Sequence, residues 1–344
     1  SEYRTPVQEH AYLQPEAGLA YIDEARRITI ACGGQWTHED RHQVAHSLGM
    51  ANEDIRIVYP AIGGAFGGRE DMSVQIVLAL AAWKLQKPIK IIWSRQESMI
   101  GHGKRHAAVV RAKWGATKEG KLIAIENELI GDGGAYMYTS NKVLGNSTIT
   151  STGAYNVPNV KTDVYGVYTN NVPGAAFRGF GAPQALFMAE MQMNKLAEKL
   201  GMDPVEFRLK NALKDGDTMG VGTPSPSPVT VIQCIEAARD KFAWETENTK
   251  LKGLKLPAHL KRGHGFAAGF KPQARFAPST GGNRTGGDDR ELVVVNGGGD
   301  AVDLINRFCA CRSGKAGIRR REKSACNQNR KSPMQHHRLQ FTCP

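Results

Sequence analysis

Four glycines surround a phenylalanine in residues 62–70 (IGGAFGGRE). The pattern predicts a strand before this loop at 54–59, an apolar helix after it at 72–85 and a second strand at 89–93. A βαβ unit of this kind aims the N–H groups of the helix's first turn at the loop. Because glycine lets the main chain approach a ligand closely, the loop predicts a site for a phosphate or a polyanionic cofactor. Taken singly, a glycine-rich turn is equally typical of helix–strand packing.

A second glycine loop lies at residues 171–184 (NVPGAAFRGFGAPQ). We predict a strand before it at 164–168 and a helix after it at 183–200, with Pro183 in the helix's first turn. Two helix N-termini would then face one ligand.

Arg178 lies between Phe177 and Phe180 in this second loop, so one cation sits beside two aromatic side chains. An arginine guanidinium suits bidentate contact with phosphate or oxo groups. The alternative is a surface arginine with two core phenylalanines, and the presence of the first loop argues against it.

Three motifs together resemble a known family. Residues 63–70 (GGAFGGRE) and 176–184 (AFRGFGAPQ) are similar to the two hallmark loops of the molybdenum-cofactor-binding large subunit of the xanthine dehydrogenase and aldehyde oxidase family. Gly34-Gln35, after a predicted strand at 28–31, resembles a third early element of that family. The likeness runs over residues 1–271 in the right order, which implies a fragment of that subunit. The implied fold class is α+β, with mixed sheets and βαβ units, as in the molybdopterin-binding domain of molybdenum hydroxylases.

The resemblance assigns roles to individual residues. It places three of them near the molybdenum, without a direct protein ligand: Gln35, Phe66 and Arg178. The full set of implied cofactor-binding residues is Gln35, Gly64, Ala65, Phe66, Gly67, Phe177, Arg178 and Gly179. Main-chain N–H groups at helix starts stabilise oxo and phosphate anions, which agrees with these roles.

The implied substrate-binding residues are Glu70, Phe180 and Asn146. Phe180 resembles an aromatic that stacks on a flat substrate, and Glu70 a carboxylate that contacts purines. Glu70 is also explained as an ordinary first-turn glutamate that the helix dipole favours. The family's purine oxidisers carry an arginine where this chain has residues 145–147 (GNS), so we expect a neutral heterocycle or an aldehyde as substrate rather than xanthine.

By resemblance, the complete enzyme hydroxylates aromatic N-heterocycles or aldehydes with water as the oxygen source. The implied cofactor is molybdenum-molybdopterin, with the cytosine dinucleotide form as one option, and iron–sulfur clusters and FAD are expected on partner subunits or domains. The family's general-base glutamate belongs to a far C-terminal part that we do not find here. We therefore predict no catalytic residue in this chain, expect it to be inactive by itself and expect an oligomeric assembly.

The likeness to the family ends near residue 271. We predict a first cofactor-binding domain at 1–245, the start of a second at 246–271, and a basic, disordered tail outside the family at 272–344. A shifted reading frame or an unrelated appendage would produce such a tail.

Composition excludes several classes of protein. Residues 305–344 hold ten Lys and Arg against Glu322 alone, which is nine of the twelve net positive charges, so the body offers no basic nucleic-acid-binding face. We expect no membrane span, because no apolar run is long enough, and no signal for export. Only Cys32 and Cys234 precede residue 271, which favours a reducing, cytoplasmic location and no cysteine metal site.

Other segments complete the expected fold. We predict a helix at 39–48, an antiparallel hairpin from 109–114 and 122–130, and an irregular pocket-lining stretch at 136–155. The helix at 39–48 follows His38 and presents His42 and His46, three histidines at spacings of four that we interpret as a solvated face rather than a metal site.

Two other functions remain as alternatives. A nucleotide-binding dehydrogenase also uses a βαβ glycine loop, but residues 63–68 do not give G-x-G-x-x-G. A basic nucleic-acid-binding protein is suggested by net charge only.

Overall fold

The computed structural model of the chain describes residues 1–225 and 228–269 and the backbone of a strand at Gln335–Thr342. Its strands are β1 (Glu2–Thr5), β2 (Ala17–Ile22), β3 (Ile28–Cys32), β4 (Ile55–Val58), β5 (Ile89–Ile92), β6 (Ala108–Ala116), β7 (Leu122–Gly134), β8 (Asn159–Tyr168) and β9 (Gln335–Thr342). Its α-helices are α1 (Thr37–Leu48), α2 (Gln75–Leu85), α3 (Arg95–Gly101), α4 (Ser140–Ile149), α5 (Ala182–Leu200), α6 (Pro204–Asn211), α7 (Val231–Phe242) and α8 (Trp244–Gly253), and a short 3-10 helix covers Asn52–Asp54.

The smaller sheet has the strand order β4-β3-β2-β5. β3 pairs parallel with β4 and antiparallel with β2, and β2 pairs antiparallel with β5. The predicted strand–loop–helix–strand unit is present, but β4 and β5 lie at opposite edges, so α2 crosses two intervening strands. Ile30, Ala20 and Leu78 are fully buried where α2 packs on the sheet.

The larger sheet has the strand order β1-β6-β7-β8-β9. The predicted hairpin is confirmed as the antiparallel pair β6 and β7, while β8 joins β7 in parallel. Helix α5 covers this sheet with the buried side chains of Met188 and Met193, which meet Val164 and Phe207 in one hydrophobic core. The mixed α+β architecture with mixed sheets is therefore as predicted.

The irregular stretch expected at 136–155 contains helix α4, so that prediction was wrong. Val143 and Leu144 are buried on one side of the helix. The Ser147 hydroxyl donates to the carbonyl oxygen of Gly181 at 2.9 Å and ties the helix to the second glycine loop. Burial and tertiary hydrogen bonds thus override the low helix propensity of a Ser-, Thr- and Asn-rich sequence.

The predicted domain division stays a prediction. The expected boundary after residue 245 falls inside α8, and most of residues 272–344 lie outside the described residues. Within that range Gln335–Thr342 forms a strand parallel to β8, where we had expected disorder. In the described part of the chain no helix combines the length and the apolar character needed to cross a bilayer.

Candidate functional site

The two glycine loops contact each other through their main chains. The N–H of Arg178 donates to the carbonyl oxygen of Phe66 at 2.8 Å. A Cβ placed on Gly67 would lie 3.0 Å from the carbonyl carbon and oxygen of Ala176, so only glycine allows this approach. The sequence predicted that the loops share one ligand, and the structure brings them together.

Both loops hold an aromatic residue in the left-handed region. Phe66 has φ 52° and Phe180 has φ 50°, and the adjoining glycines Gly67, Gly179 and Gly181 have φ 97°, 98° and 89°. A bulky side chain at positive φ is rare and costs about 1–3 kcal/mol, and such strain is concentrated at binding and catalytic sites. Two matching outliers on loops in contact point to one functional site between them.

Gln35 locks the first loop in place. The side-chain oxygen of Gln35 accepts from the main-chain N–H groups of Gly67 at 3.0 Å and Arg69 at 3.2 Å. The main-chain N–H of Gln35 donates to the Arg69 carbonyl oxygen at 3.1 Å. Gly34 is required before it, since a Cβ there would lie 2.3 Å from the Tyr59 ring. Gln35 is itself exposed beside the loop, and its place near the molybdenum stays a prediction.

The remaining first-loop residues shape the turn. Gly64 takes φ 98°, and its carbonyl oxygen accepts from the Arg69 guanidinium at 3.4 Å. Ala65 is buried, and its carbonyl oxygen accepts from the N–H of Gly68 at 2.8 Å. The Phe66 side chain is 45% exposed, so its aromatic face is accessible from solvent.

Arg178 presents an exposed guanidinium at this site. Across residues 1–225 and 228–269, its side chain takes part in none of the ion pairs that the structure contains. Arg105 fixes the main chain of this part of the loop, because its guanidinium donates to the carbonyl oxygens of Arg178 at 2.7 Å and Phe177 at 3.4 Å. Nothing in the spacing of Arg105 along the sequence indicated this contact.

The ring of Phe177 is partly buried against two other side chains, and its contact with a cofactor stays a prediction. The Arg105 guanidinium lies 4.2 Å from its ring centroid, and the His10 ring lies 4.2 Å away on another side. His10 Nε2 donates to the Ala176 carbonyl oxygen at 2.7 Å. Burial lowers the pKa of His10 to about 4, so this histidine is neutral and holds the second loop from within.

The three predicted substrate residues lie on three different segments. Asn146 is on α4, and its amide donates to the Phe180 carbonyl oxygen at 2.6 Å, so it positions the loop that carries the aromatic ring. Glu70 lies in the turn after the first loop, with its N–H donating to the Gly67 carbonyl oxygen at 3.1 Å. The alternative that Glu70 is a first-turn helix residue is wrong, because α2 begins at Gln75.

Only one of the two predicted helix N-termini adjoins its loop. Helix α2 begins at Gln75, after the first loop has ended at Glu70, and the Gln75 side-chain oxygen accepts from the N–H groups of Ser73 and Val74 just before the helix, at 2.9 and 3.0 Å. Helix α5 begins at Ala182, directly after the second loop, with Gly181 before it. The first turn of α5 therefore places the positive end of a helix dipole beside the second loop.

Asp71 connects the loops to α4. Its carboxylate accepts from the Thr139 hydroxyl at 2.7 Å and from the main chain of Ala176. Burial raises the pKa of Asp71 to about 6 despite these hydrogen bonds. Sequence reasoning missed this residue, since an acidic residue at the end of a glycine loop has no distinctive signal.

Comparison with known proteins gives this site a family. Residues 1–212 match the family model of the molybdopterin cofactor-binding domain. The large molybdopterin subunit of nicotinate dehydrogenase from Eubacterium barkeri is 41% identical over 239 residues, which is 70% of this chain and 56% of that subunit. A probable xanthine dehydrogenase subunit from Bacillus subtilis is 37% identical over 215 residues, 62% of this chain and 29% of that protein.

Among solved structures, the aldehyde oxidoreductase from Desulfovibrio gigas superposes with a TM-score of 0.68 at 30% identity. The match covers 73% of this chain and 28% of that one. The chain therefore spans just over half the length of the nicotinate dehydrogenase subunit and less than a third of the other two proteins.

Proposed function

This chain belongs to the molybdopterin cofactor-binding domain family, and we propose that its two glycine loops hold the molybdenum cofactor in a molybdenum hydroxylase. The observation that supports this proposal most directly is the contact between the loops, in which Phe66 and Phe180 both adopt left-handed main-chain conformations. Binding sites store such strain because the ligand needs a main chain shaped in one way.

The chemistry of the donors fits a polyanionic cofactor. Arg178 supplies an exposed guanidinium, and α5 supplies the positive end of a helix dipole beside the same loop. Gln35 fixes the first loop, because its side-chain oxygen accepts from two main-chain N–H groups there. We infer that these groups bind and orient the pterin, its phosphate and the oxo groups of the metal, and that the Arg178 side chain contributes the charged contact.

When bound, the cofactor supplies two-electron oxidation of a carbon centre with water as the oxygen source. The chain's own residues supply the binding site and its electrostatics. Phe66 and Phe180 present aromatic surface at the rim, which keeps water away from one side of the site. The general base is not among the residues that we assign, so we infer that further parts of the complete enzyme finish the active site.

We propose a neutral aromatic heterocycle or an aldehyde as substrate. Phe180 would stack on a flat ring, and Glu70 would accept a ring N–H. Asn146 stands where the purine oxidisers carry an arginine, and its amide is committed to the Phe180 carbonyl oxygen. The names of the relatives cover nicotinate, xanthine and aldehyde oxidation, and the absence of a cation on this part of α4 favours neutral substrates over xanthine.

We further infer iron–sulfur and flavin partner subunits, an oligomeric complex in the cytoplasm, and either molybdopterin itself or its cytosine dinucleotide form as the pterin. The names of two relatives support partners, because each describes its protein as one subunit of an enzyme. Mass analysis of the extracted pterin would distinguish the two cofactor forms.

Cofactor retention tests the proposal. The chain, purified from a host that makes molybdenum cofactor and co-expressed with its natural partners, should carry molybdenum and pterin in equal amounts. Arg178→Ala should lower both by tenfold or more, as expected for the loss of a charge-assisted contact of about 1.5–3 kcal/mol. Arg56→Ala, an exposed arginine on β4, serves as the matched control and should leave both unchanged. Normal molybdenum and pterin in the Arg178→Ala protein would overturn the assignment of that side chain.

Substrate choice is tested separately in the complete enzyme. Glu70→Gln should lower the turnover of heterocycles more than that of simple aldehydes, which offer no ring N–H to the carboxylate. Equal losses for the two classes, or xanthine as the best substrate, would contradict the proposed pocket while leaving cofactor binding intact.

A further inference from the structure

Three metal-ligating side chains converge behind the second glycine loop. The ligand atoms of Glu9, His10 and His102 all lie within 4.8 Å of one another. His10 Nδ1 is 3.3 Å from His102 Nε2, and His102 Nε2 is 3.1 Å from Glu9 Oε1. Both histidines are buried, at 5% and 3% exposure, so water does not fill the space between them freely.

The hydrogen bonds on the far side of each ring fix its tautomer. His10 Nε2 contacts the Ala176 carbonyl oxygen at 2.7 Å, and His102 Nδ1 contacts the Ser98 carbonyl oxygen. Because a carbonyl oxygen can only accept, each of these ring nitrogens carries the proton. His10 Nδ1 and His102 Nε2 are then the unprotonated nitrogens, and their lone pairs face each other and an oxygen of Glu9.

Lone pairs at this separation repel unless a cation lies between them. We propose that Glu9, His10 and His102 bind a divalent metal ion, with zinc as the species that best suits the donors. Two imidazoles and one carboxylate are a donor set that proteins use for zinc, with metal–ligand bonds of about 2.0–2.2 Å. In a tetrahedral arrangement such bonds place neighbouring ligand atoms about 3.3 Å apart, close to the distances found here.

The surroundings fit a metal site. Histidines that bind a metal usually donate their other N–H to a carbonyl or carboxylate, as both of these do. Lys104 is the opposing charge, with Nζ 2.8 Å from Glu9 Oε2 and 2.7 Å from the His102 carbonyl oxygen. Glu16 offsets it, since this buried carboxylate lies 3.6 Å from His102 Nδ1. Two carboxylates against one ammonium leave the cluster with negative charge for a cation.

The metal would join two segments that are distant in the sequence. Glu9 and His10 belong to the N-terminal segment, and His102 follows the end of α3. His10 also holds Ala176 of the second loop, so the ion would fix the loop that carries Arg178. Its role would be structural and independent of molybdenum.

The test measures zinc retained by the whole chain. His42 and His46 are exposed one helical turn apart and could bind zinc adventitiously, so every protein tested carries His42→Gln and His46→Gln. In that background, the parent should keep one more equivalent of zinc after desalting than Glu9→Gln or His102→Ala, as counted by elemental mass spectrometry. Zinc should raise the unfolding temperature of the parent and not that of Glu9→Gln.

Two features keep the result decisive. Zinc held by cysteine thiols elsewhere in the chain is the same in all three proteins and cancels in the difference. If His102→Ala fails to fold by circular dichroism, Glu9→Gln still decides, because Glu9 lies at the rim of the cluster with 23% of its side chain exposed. If the folded parent keeps no more zinc than the Glu9→Gln variant, the proposal is wrong. A proton shared between His10 and His102 would then account for their contact.

Discussion

The main-chain N–H of Arg178 donates to the main-chain carbonyl oxygen of Phe66 at 2.8 Å, and this bond joins the two glycine loops. Both atoms belong to the backbone, so the contact does not use the Arg178 side chain. The guanidinium is therefore available to a ligand, while the loop geometry depends on residues that permit close main-chain approach. Effects on ligand binding and on loop assembly can accordingly be separated by substitution.

Gly67→Ala should destabilise the protein by pushing the loops apart. Its Cβ would meet the Ala176 carbonyl at 3.0 Å, and Gly67 has φ 97°. Gly49→Ala provides a matched control, because Gly49 ends α1 with φ 66° and a Cβ there meets nothing within 4 Å. The control should cost about 1–2 kcal/mol for its main-chain conformation, and Gly67→Ala about 1–3 kcal/mol more for the collision.

Chemical denaturation of the two variants measures this difference, and cofactor content should fall for Gly67→Ala only. Equal free energies of unfolding would show that the loops adjust without cost. A clash of the added Cβ with the cofactor alone, as the sequence suggests, would instead lower cofactor content while Gly67→Ala costs no more stability than the Gly49→Ala control.

Asn146→Ala should loosen the second loop without unfolding the protein. The amide of Asn146 donates to the Phe180 carbonyl oxygen at 2.6 Å, and losing this bond should cost about 0.5–1.5 kcal/mol. Amide hydrogen exchange at Gly181 and Ala182 should become faster. Asn141→Ala is the control on the same helix, since the half-buried Asn141 side chain accepts from the neighbouring N–H of Lys142 rather than donating to the loop. Unchanged exchange in the loop would remove Asn146 from the positioning role.

The sequence predicted the parts of the fold that local pattern determines. Glycine spacing indicated both loops, and the strands β6, β7 and β8 follow alternating apolar residues. It missed α4, whose buried side is set by contacts with Gly181 and Phe180 across the chain. It also began the helix after the first loop too early, at residue 72 rather than at Gln75, because the hydrogen bonds from Ser73 and Val74 to the Gln75 side chain cannot be recognised from composition.

The site was predicted only in outline, because the fold rather than the sequence spacing brings several of its residues together. Gln35 and Arg178 stand out by motif, whereas the supports Arg105, His10 and Asp71 come from segments that only the fold brings together. Phe177 illustrates the limit most clearly. Its position in the motif predicted a cofactor contact, but the motif alone does not show that its ring packs against His10 and Arg105.

Arg208→Ala should destabilise the protein at the hydrophobic core between α5 and the larger sheet. The Arg208 guanidinium is fully buried, and it lies 2.8 Å from the Glu190 carboxylate, which also accepts from the N–H of Ala268 at 2.8 Å. Removing one partner leaves a buried charge uncompensated, which typically costs about 3–5 kcal/mol. Arg111→Ala is the control, because its 2.6 Å pair with Glu128 is exposed and should contribute at most about 1 kcal/mol. Urea denaturation compares the two, and a loss of similar size in both would contradict the prediction.

Asp71 should make the stability of the protein depend on pH. Burial raises the pKa of Asp71 to about 6 in the folded chain, above the value of 3.8 for an unperturbed carboxyl. The folded chain holds this proton more tightly than the unfolded chain, so the protonated carboxyl stabilises the fold at pH values below the unfolded pKa. That stabilisation is lost as the pH rises through the folded pKa. The penalty from ionising Asp71 therefore develops between about pH 4 and pH 6 and is complete by pH 8.

Asp71→Asn should remove that penalty while its amide oxygen still accepts from the Thr139 hydroxyl. The free energy of unfolding of the variant relative to the parent should rise from pH 4 to pH 8 by about 1–3 kcal/mol, given that one pKa unit corresponds to about 1.4 kcal/mol. Urea denaturation at both pH values measures the change, and Glu24→Gln, at an exposed position before β3, should show no such rise. If Asp71→Asn is destabilising by the same amount at both pH values, the carboxylate is ionised throughout this range and its hydrogen bonds to Thr139 and Ala176 outweigh its burial.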